Sequence, residues 1–231
     1  MSDDDFARRV AGVGSLSEPM RRELYRFVVA RATPVSRDQA AEGVGVARHT
    51  AKFHLDRLVV DGLLETEFRR LTGRDGPGAG RPAKLYRRAQ ASVEVSLPER
   101  RYALAGDVLA EAVEVSGRGG SPVGDAVRRV AAETGRRLAG MSEQPEGTPA
   151  MDRAGVALAE QGFEPRMEGD TLVLGNCPFH RLAERHREVV CGMNLALIEG
   201  LLSGLACTEL EPVLDPGPGR CCVTTSMRPL D

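Results

Sequence analysis

One stretch restricts what this chain can fold into more than any other: residues 47–64, Ala-Arg-His-Thr-Ala-Lys-Phe-His-Leu-Asp-Arg-Leu-Val-Val-Asp-Gly-Leu-Leu. Ala47, Ala51, Leu55, Leu58 and Val59 recur at three- and four-residue steps, which makes one stripe of an amphipathic helix. Arg48, His49, Lys52, Phe53, Asp56 and Arg57 fall largely off that stripe. The helix therefore buries one side and turns a cationic, hydrogen-bonding side outward. Gly62 ends it, and Leu63-Leu64 begins an extended run.

The flanking sequence gives this helix a setting. Residues 1–17 are polar and Gly-rich and read as a flexible lead-in. Ser17-Glu18-Pro19 opens a helix, with Ser17 as the expected N-cap. Thr33-Pro34 breaks it near residue 31, and Ser36-x-x-Gln39 is a capping box that starts a short helix over 36–43. Gly43-Val44-Gly45-Val46 is then a tight turn into the first-named helix. Short helix, glycine turn and longer helix make the helix-turn-helix pattern. Two short strands, 63–71 and 83–88, enclose a loop of four glycines and two prolines, the wing of a winged helix. Arg74, Arg81 and Lys84 suit phosphate or minor-groove contacts from the wing, and Arg48, His49, Lys52, Phe53 and Arg57 suit the major groove.

Charge divides the chain in the same place. Residues 1–90 carry 17 Lys/Arg and 12 Asp/Glu, a net +5; residues 91–231 carry 14 and 21, a net −7. A basic half beside an acidic half fits a reader of double-stranded DNA joined to something that is not one. The start, Ser-Asp-Asp-Asp, is acidic where a secretory leader is basic, and no apolar run reaches the ~18 residues of a membrane span. The expected location is cytoplasmic, with no membrane partner.

Residues 91–148 read as a helical linker. Residues 92–97 look extended, one helix runs from Pro98 to about 115, and a second covers about 123–139. Their expected role is to dimerise the protein, so that two reading helices meet a palindromic operator. Residues 149–231 read as a small α+β domain in the order α-β-β-α-β-β, with a long apolar helix over about 188–206. The expected fold class is thus α+β: a winged helix-turn-helix at 18–90, a helical dimerisation linker, and a cysteine-bearing domain.

All five cysteines lie after residue 176, spaced C-x13-C-x15-C-x13-C-C. The gaps are too wide for a zinc knuckle, so any shared site must be assembled by the fold. In a reducing compartment these are thiols, metal ligands or redox sensors before they are disulfides. Cys191, near the start of the long helix, gains thiolate character from the helix dipole. Cys221 and Cys222, read as strand residues, would point to opposite faces. The four histidines form no catalytic set. Cys177 as a hydrolase nucleophile lacks a supporting motif, and no catalytic residue is assigned.

Asp38–Leu64, with His54-Leu55-Asp56-x-Leu58, followed by Gly80-Arg81-Pro82-Ala83-Lys84-Leu85-Tyr86, resembles the winged helix of ArsR/DeoR-like bacterial transcriptional regulators. Asn176-Cys177-Pro178, Val189-Val190-Cys191 and Gly219-Arg220-Cys221 resemble the cysteine motifs of the SufR-type, iron–sulfur-binding repressor branch. That resemblance implies a DNA-binding repressor whose affinity is set by an iron–sulfur cluster, [4Fe–4S] ahead of [2Fe–2S], with zinc as the alternative. It implies Cys177, Cys191 and Cys221 as ligands. Cys207 is a weaker match, and His180, Cys222 and Asp215 compete with it for the fourth place. A metal-free thiol switch is the rival reading, and a cysteine-dependent enzyme with an appended DNA-binding domain is a more distant one.

Overall fold

The computed structural model describes residues 3–70, 82–143, 145 and 147–229. The chain divides into two compact units, Ser2–Val95 and Ser96–Asp231.

The first unit opens with a helix where a flexible lead-in was expected: α1 spans Asp3–Ser15. Its inner side is made by small residues, which is why no apolar stripe announces it. Gly12 is buried, and a Cβ there would stand 3.1 Å from the Asp61 carbonyl oxygen and 3.4 Å from Val93. Arg21 donates to Ser15 Oγ at 3.0 Å and Arg22 to the Leu16 carbonyl at 2.8 Å, so two cations occupy the carbonyl end of α1. Helix α2 spans Pro19–Val29, and its N-cap is Glu18, not Ser17. Pro19 forces the residue before it into extended backbone, which is the N-cap conformation. The Glu18 carboxylate accepts from the Met20 and Arg21 amides, while Ser17 Oγ turns back to the Gly14 carbonyl.

Helix α3, Arg37–Val44, starts with the expected capping box: Gln39 N–H donates to Ser36 Oγ at 3.2 Å and Ser36 N–H to Gln39 Oε1 at 2.8 Å. It ends at Gly45, whose φ of 75° is the left-handed conformation glycine adopts without strain. Helix α4 follows at Arg48–Val60. Leu24, Val28, Ala40, Ala41, Ala51, Leu55 and Leu58 form the core between α2, α3 and α4. A Cβ on Gly43 would fall 1.9 Å from the Phe27 ring, so a larger residue there would have to push that ring aside. Strand β1 (Val35–Ser36), unforeseen from sequence, joins β2 (Leu64–Arg69) and β3 (Ala83–Arg88) in an antiparallel sheet of order β1-β3-β2. Leu64 pairs with Arg88 and Arg69 with Ala83.

Residues 92–97, across the boundary of the two units, form no strand, and in the second unit α5 starts at Tyr102, not Pro98, running to Gly119. Helix α6 spans Val123–Ala139, α7 Ala150–Glu160, α8 His180–Arg185 and α9 Arg187–Gly204. Strands β4 (Pro165–Glu168), β5 (Thr171–Leu174), β6 (Leu210–Leu214) and β7 (Val223–Met227) form an antiparallel sheet of order β4-β5-β7-β6. The middle helices are not a separate linker. Ala105, Val108, Ala112, Val127, Val130 and Ala131 share one core with Leu158, Phe163, Leu174, Phe179, Met193, Ile198 and Leu201. Small residues let α6 and α9 touch backbone to backbone. A Cβ on Gly135 would lie 2.1 Å from the Leu197 carbonyl oxygen, and one on Gly200 would lie 2.0 Å from that of Ala132. The buried side of α6 is therefore used within the chain.

Candidate nucleic-acid interface and cysteine site

Helix α4 presents the side expected of it. Arg48, His49, Lys52, Phe53 and Arg57 are exposed, with Phe53 at 65 %, while Ala51, Leu55 and Leu58 are fully buried behind them. His54 does not belong to the outward set. It is half-buried, lies edge-on to Phe53, and stands 3.6 Å from the Glu18 carboxylate that caps α2.

Sequence reasoning missed that most of these cations already have carboxylate partners. The Arg48 guanidinium grips both oxygens of Asp38 in the first turn of α3, and this lowers the Asp38 pKa. Arg57 lies 3.0 Å from Asp61, whose side chain is buried, and Lys52 lies 3.6 Å from Asp56. Lys84 Nζ donates to Asp56 Oδ1 at 2.6 Å, and the Tyr86 hydroxyl donates to the same oxygen at 2.8 Å. Lys84 is thus a brace between β3 and α4 more than a free phosphate contact. Burial alone would raise the Asp56 pKa, but donation from Lys84 and Tyr86 outweighs it and the net shift is downward. Tyr86, buried and donating to a carboxylate, is shifted up. Arg74 and Arg81 lie outside the described residues.

The second unit gathers four of its five cysteines. Cys177 follows β5, Cys191 lies in the second turn of α9, and Cys221 and Cys222 precede β7. The expectation that Cys221 and Cys222 sit in a strand and face apart is corrected. The strand begins at Val223, after a turn in which Gly219 has a φ of 70°. Outside the pleat, both thiols reach the same place. Cys177 and Cys222 donate to Cys221, and Cys222 also meets Cys191. All four line one cavity of about 380 Å³, with Arg100, Asn176, His180, Arg187 and Arg220 around it.

Cys221 is the thiol of the group whose pKa is lowered. Its pKa is pushed down to about 3 by donation from Cys177 and Cys222, against burial, with the Val223 amide and Asn194 assisting. Asn194 Nδ2 lies 3.2 Å from Cys221 Sγ. Cys177 and Cys222 are shifted up because each donates to Cys221 and is itself buried. Among the described residues, no three His, Cys, Asp or Glu side chains converge as ligands of a single metal ion.

The remaining candidates stand apart from this group. Cys207 lies beyond the far end of α9, its thiol donating to the Ala150 carbonyl at 3.6 Å with Arg153 Nη2 3.4 Å away. At 1.5 Å per residue, the helix between Cys191 and Gly204 puts roughly 20 Å between the two ends, so Cys207 is not part of the site. Asp215 pairs with Arg220 at 2.7 Å, and His180, at the cavity edge, pairs with Glu184 at 3.2 Å.

A turn-linked helix pair with an exposed cationic second helix, backed by an antiparallel sheet, defines a helix-turn-helix DNA-binding domain of winged form. Residues 16–67 match the family model described as a helix-turn-helix domain, which covers α2 to β2. No curated protein and no solved structure matches the chain. The chain thus carries the DNA-binding domain of a transcription regulator, mixed in its α and β content. Among the described residues no helix is long and apolar enough to cross a membrane.

Proposed function

We propose that this protein is a cytoplasmic, dimeric, sequence-specific transcriptional repressor whose affinity for DNA is set by an iron–sulfur cluster held in the second unit. The observation that carries the reading is the convergence of Cys177, Cys191, Cys221 and Cys222, from three separate parts of the chain, on one cavity.

The donor set fits such a group. Four soft thiols meet in a mostly buried pocket, which suits iron–sulfur clusters or zinc. A cluster, with its oxygen and redox lability, makes a better signal than zinc. Cys222 takes the fourth place left open by the sequence. The Phe179 and Val223 amides and the Asn194 side chain donate to sulfur, and such donors tune a cluster's potential. When bound, the cluster supplies an oxygen- and redox-labile charge; the chain's part is to hold, shield and report it.

On the DNA side, His49, Lys52 and Phe53 read base edges from α4, while Arg48 and Arg57 orient the helix through Asp38 and Asp61. Arg81 and Arg74 contact the backbone from the wing. Two such heads in a homodimer match a palindromic operator. The test is anaerobic purification with absorbance, iron and sulfide counts. Loaded and emptied protein are then compared on a duplex selected from a random pool. A brown protein with at least a tenfold difference in affinity is expected; colourless, iron-free protein defeats the reading.

One observation supports a second reading. Cys177 and Cys222 each lie against Cys221, whose pKa is lowered, a start for disulfide formation in a metal-free thiol switch. Peroxide sensitivity of DNA binding in iron-free protein would favour it.

A further inference from the structure

The second unit begins at Ser96, and its first residues are fastened to the Cys177 loop. Arg100 Nη1 donates to Asn176 Oδ1 at 2.5 Å and to the Cys177 carbonyl oxygen at 2.8 Å. Asn176 Nδ2 donates to the carbonyls of Glu99 at 3.0 Å and Gly162 at 2.6 Å. The Arg101 amide donates to the Pro178 carbonyl at 3.1 Å, and Arg101 Nη2 donates to the Glu160 carbonyl at 2.7 Å. Asn176 is only 5 % exposed, so water does not readily replace these bonds. The strap has no slack on its other side either. Gly162 sits at φ 83° against Glu99, where a Cβ would come within 2.9 Å of the Glu99 side chain.

The position of this strap gives it a role. The acceptor of Arg100 is the carbonyl of Cys177 itself, so any backbone adjustment that re-aims the Cys177 thiol moves that acceptor. In the other direction, six residues separate Arg100 from Val93, which packs against the core of the helix-turn-helix unit. No helix or strand lies between them. A tether that short passes on a displacement that a long, coiling linker would absorb.

We propose that Arg100 is a positioning residue that couples the state of the cysteine site to the connector leading into the helix-turn-helix unit. This rests on the reading that the cysteine site sets DNA affinity, and it adds the route. Coupling of this kind requires an element whose position both sites bias, and residues 98–101 are the element proposed for it.

The first test uses full-length wild-type protein, cluster-loaded and then emptied with an iron chelator, followed by amide hydrogen exchange. Emptying is expected to speed exchange of the Arg101 amide at least tenfold. Unchanged exchange over residues 96–101 overturns the proposal, whatever DNA binding does. The second test compares Arg100→Ala and Arg100→Lys for iron and sulfide content and for the ratio of loaded to emptied affinity on the selected duplex. In the fraction that loads, Arg100→Ala should bring that ratio to within twofold of one, with Arg100→Lys restoring part of it. An alanine variant that keeps the wild-type ratio overturns the proposal, and so does one that no longer loads, since Arg100 then only builds the pocket. A wild-type ratio of one instead defeats the functional reading itself.

Discussion

Asp56 shows how one side chain ties the reading helix to its sheet. It accepts from Lys84 and Tyr86 across β3 and lies 3.6 Å from Lys52 on its own helix. Its pKa is lowered in the folded chain, so its stabilising effect is complete above the ordinary carboxylate value of about 3.9 and is lost as pH falls through the lowered value. Asp56→Asn should cost about 1 kcal/mol at pH 7, and the gap in Tm from wild type should close toward pH 2.5. A gap of equal size at both pH values would count against the pairing. The thiols allow an equally direct comparison. On the proposed cluster reading, Cys222→Ser should yield protein without iron, whereas Cys207→Ser, remote from the cavity, should leave iron and sulfide counts as in wild type; the reverse pattern would refute the assignment. Individual residues were also where sequence reasoning was least complete. The stripe of α4 specified which residues face out, but not that Asp38, Asp56 and Asp61 lie against Arg48, Lys84 and Arg57. Asp38 and Arg48 are ten positions apart and Asp56 and Lys84 twenty-eight, separations that no local pattern records.

At the scale of elements, boundaries were legible wherever capping chemistry is written locally. Ser36 and Gln39 announce α3, and the glycines after it announce the turn. Elements held by small residues were not. Helix α1 buries Gly12 and Ser15, which carry no hydrophobic signal. The α6–α9 seam rests on Gly135 and Gly200, and neither has a side chain to reveal a contact. That seam makes its own prediction. Gly200→Val should overpack it by roughly 1–3 kcal/mol or more, because the obstacle is the Ala132 backbone and not a side chain that can turn away. It should lower Tm markedly, and an unchanged Tm would rule out backbone contact there. The same seam explains why the middle helices look like a linker in sequence. Both are amphipathic, but the partner of α6 is some sixty residues further along the chain.

For the whole molecule, the formal charge of −2 is misleading for a DNA-binding chain. The positive surplus lies in residues 1–90 and the negative one beyond. Full-length protein at pH 7.5, above its pI of about 6.2, should still bind duplex DNA with an affinity that falls steeply as salt rises. Lys52→Ala should cost about 1–3 kcal/mol on the selected duplex and relax its sequence preference. Affinity independent of salt would argue against the assigned face. The broad division, a basic reader followed by an acidic cysteine-bearing part, was legible from composition alone. The convergence of the thiols was not, because it depends on a turn that places Cys221 and Cys222 ahead of a strand instead of within it.

The carboxylates that already occupy Arg48, Arg57 and Lys84 bear on how such a protein searches a genome. A phosphate reaching these cations must displace a partner that is covalently part of the same molecule and always present. Indiscriminate contact with duplex DNA is weakened accordingly, and the protein spends less time on each wrong stretch. On the proposed reading, only a sequence that also engages His49, Lys52 and Phe53 offsets the exchange, so internal pairing would shorten dwell time everywhere except at the target.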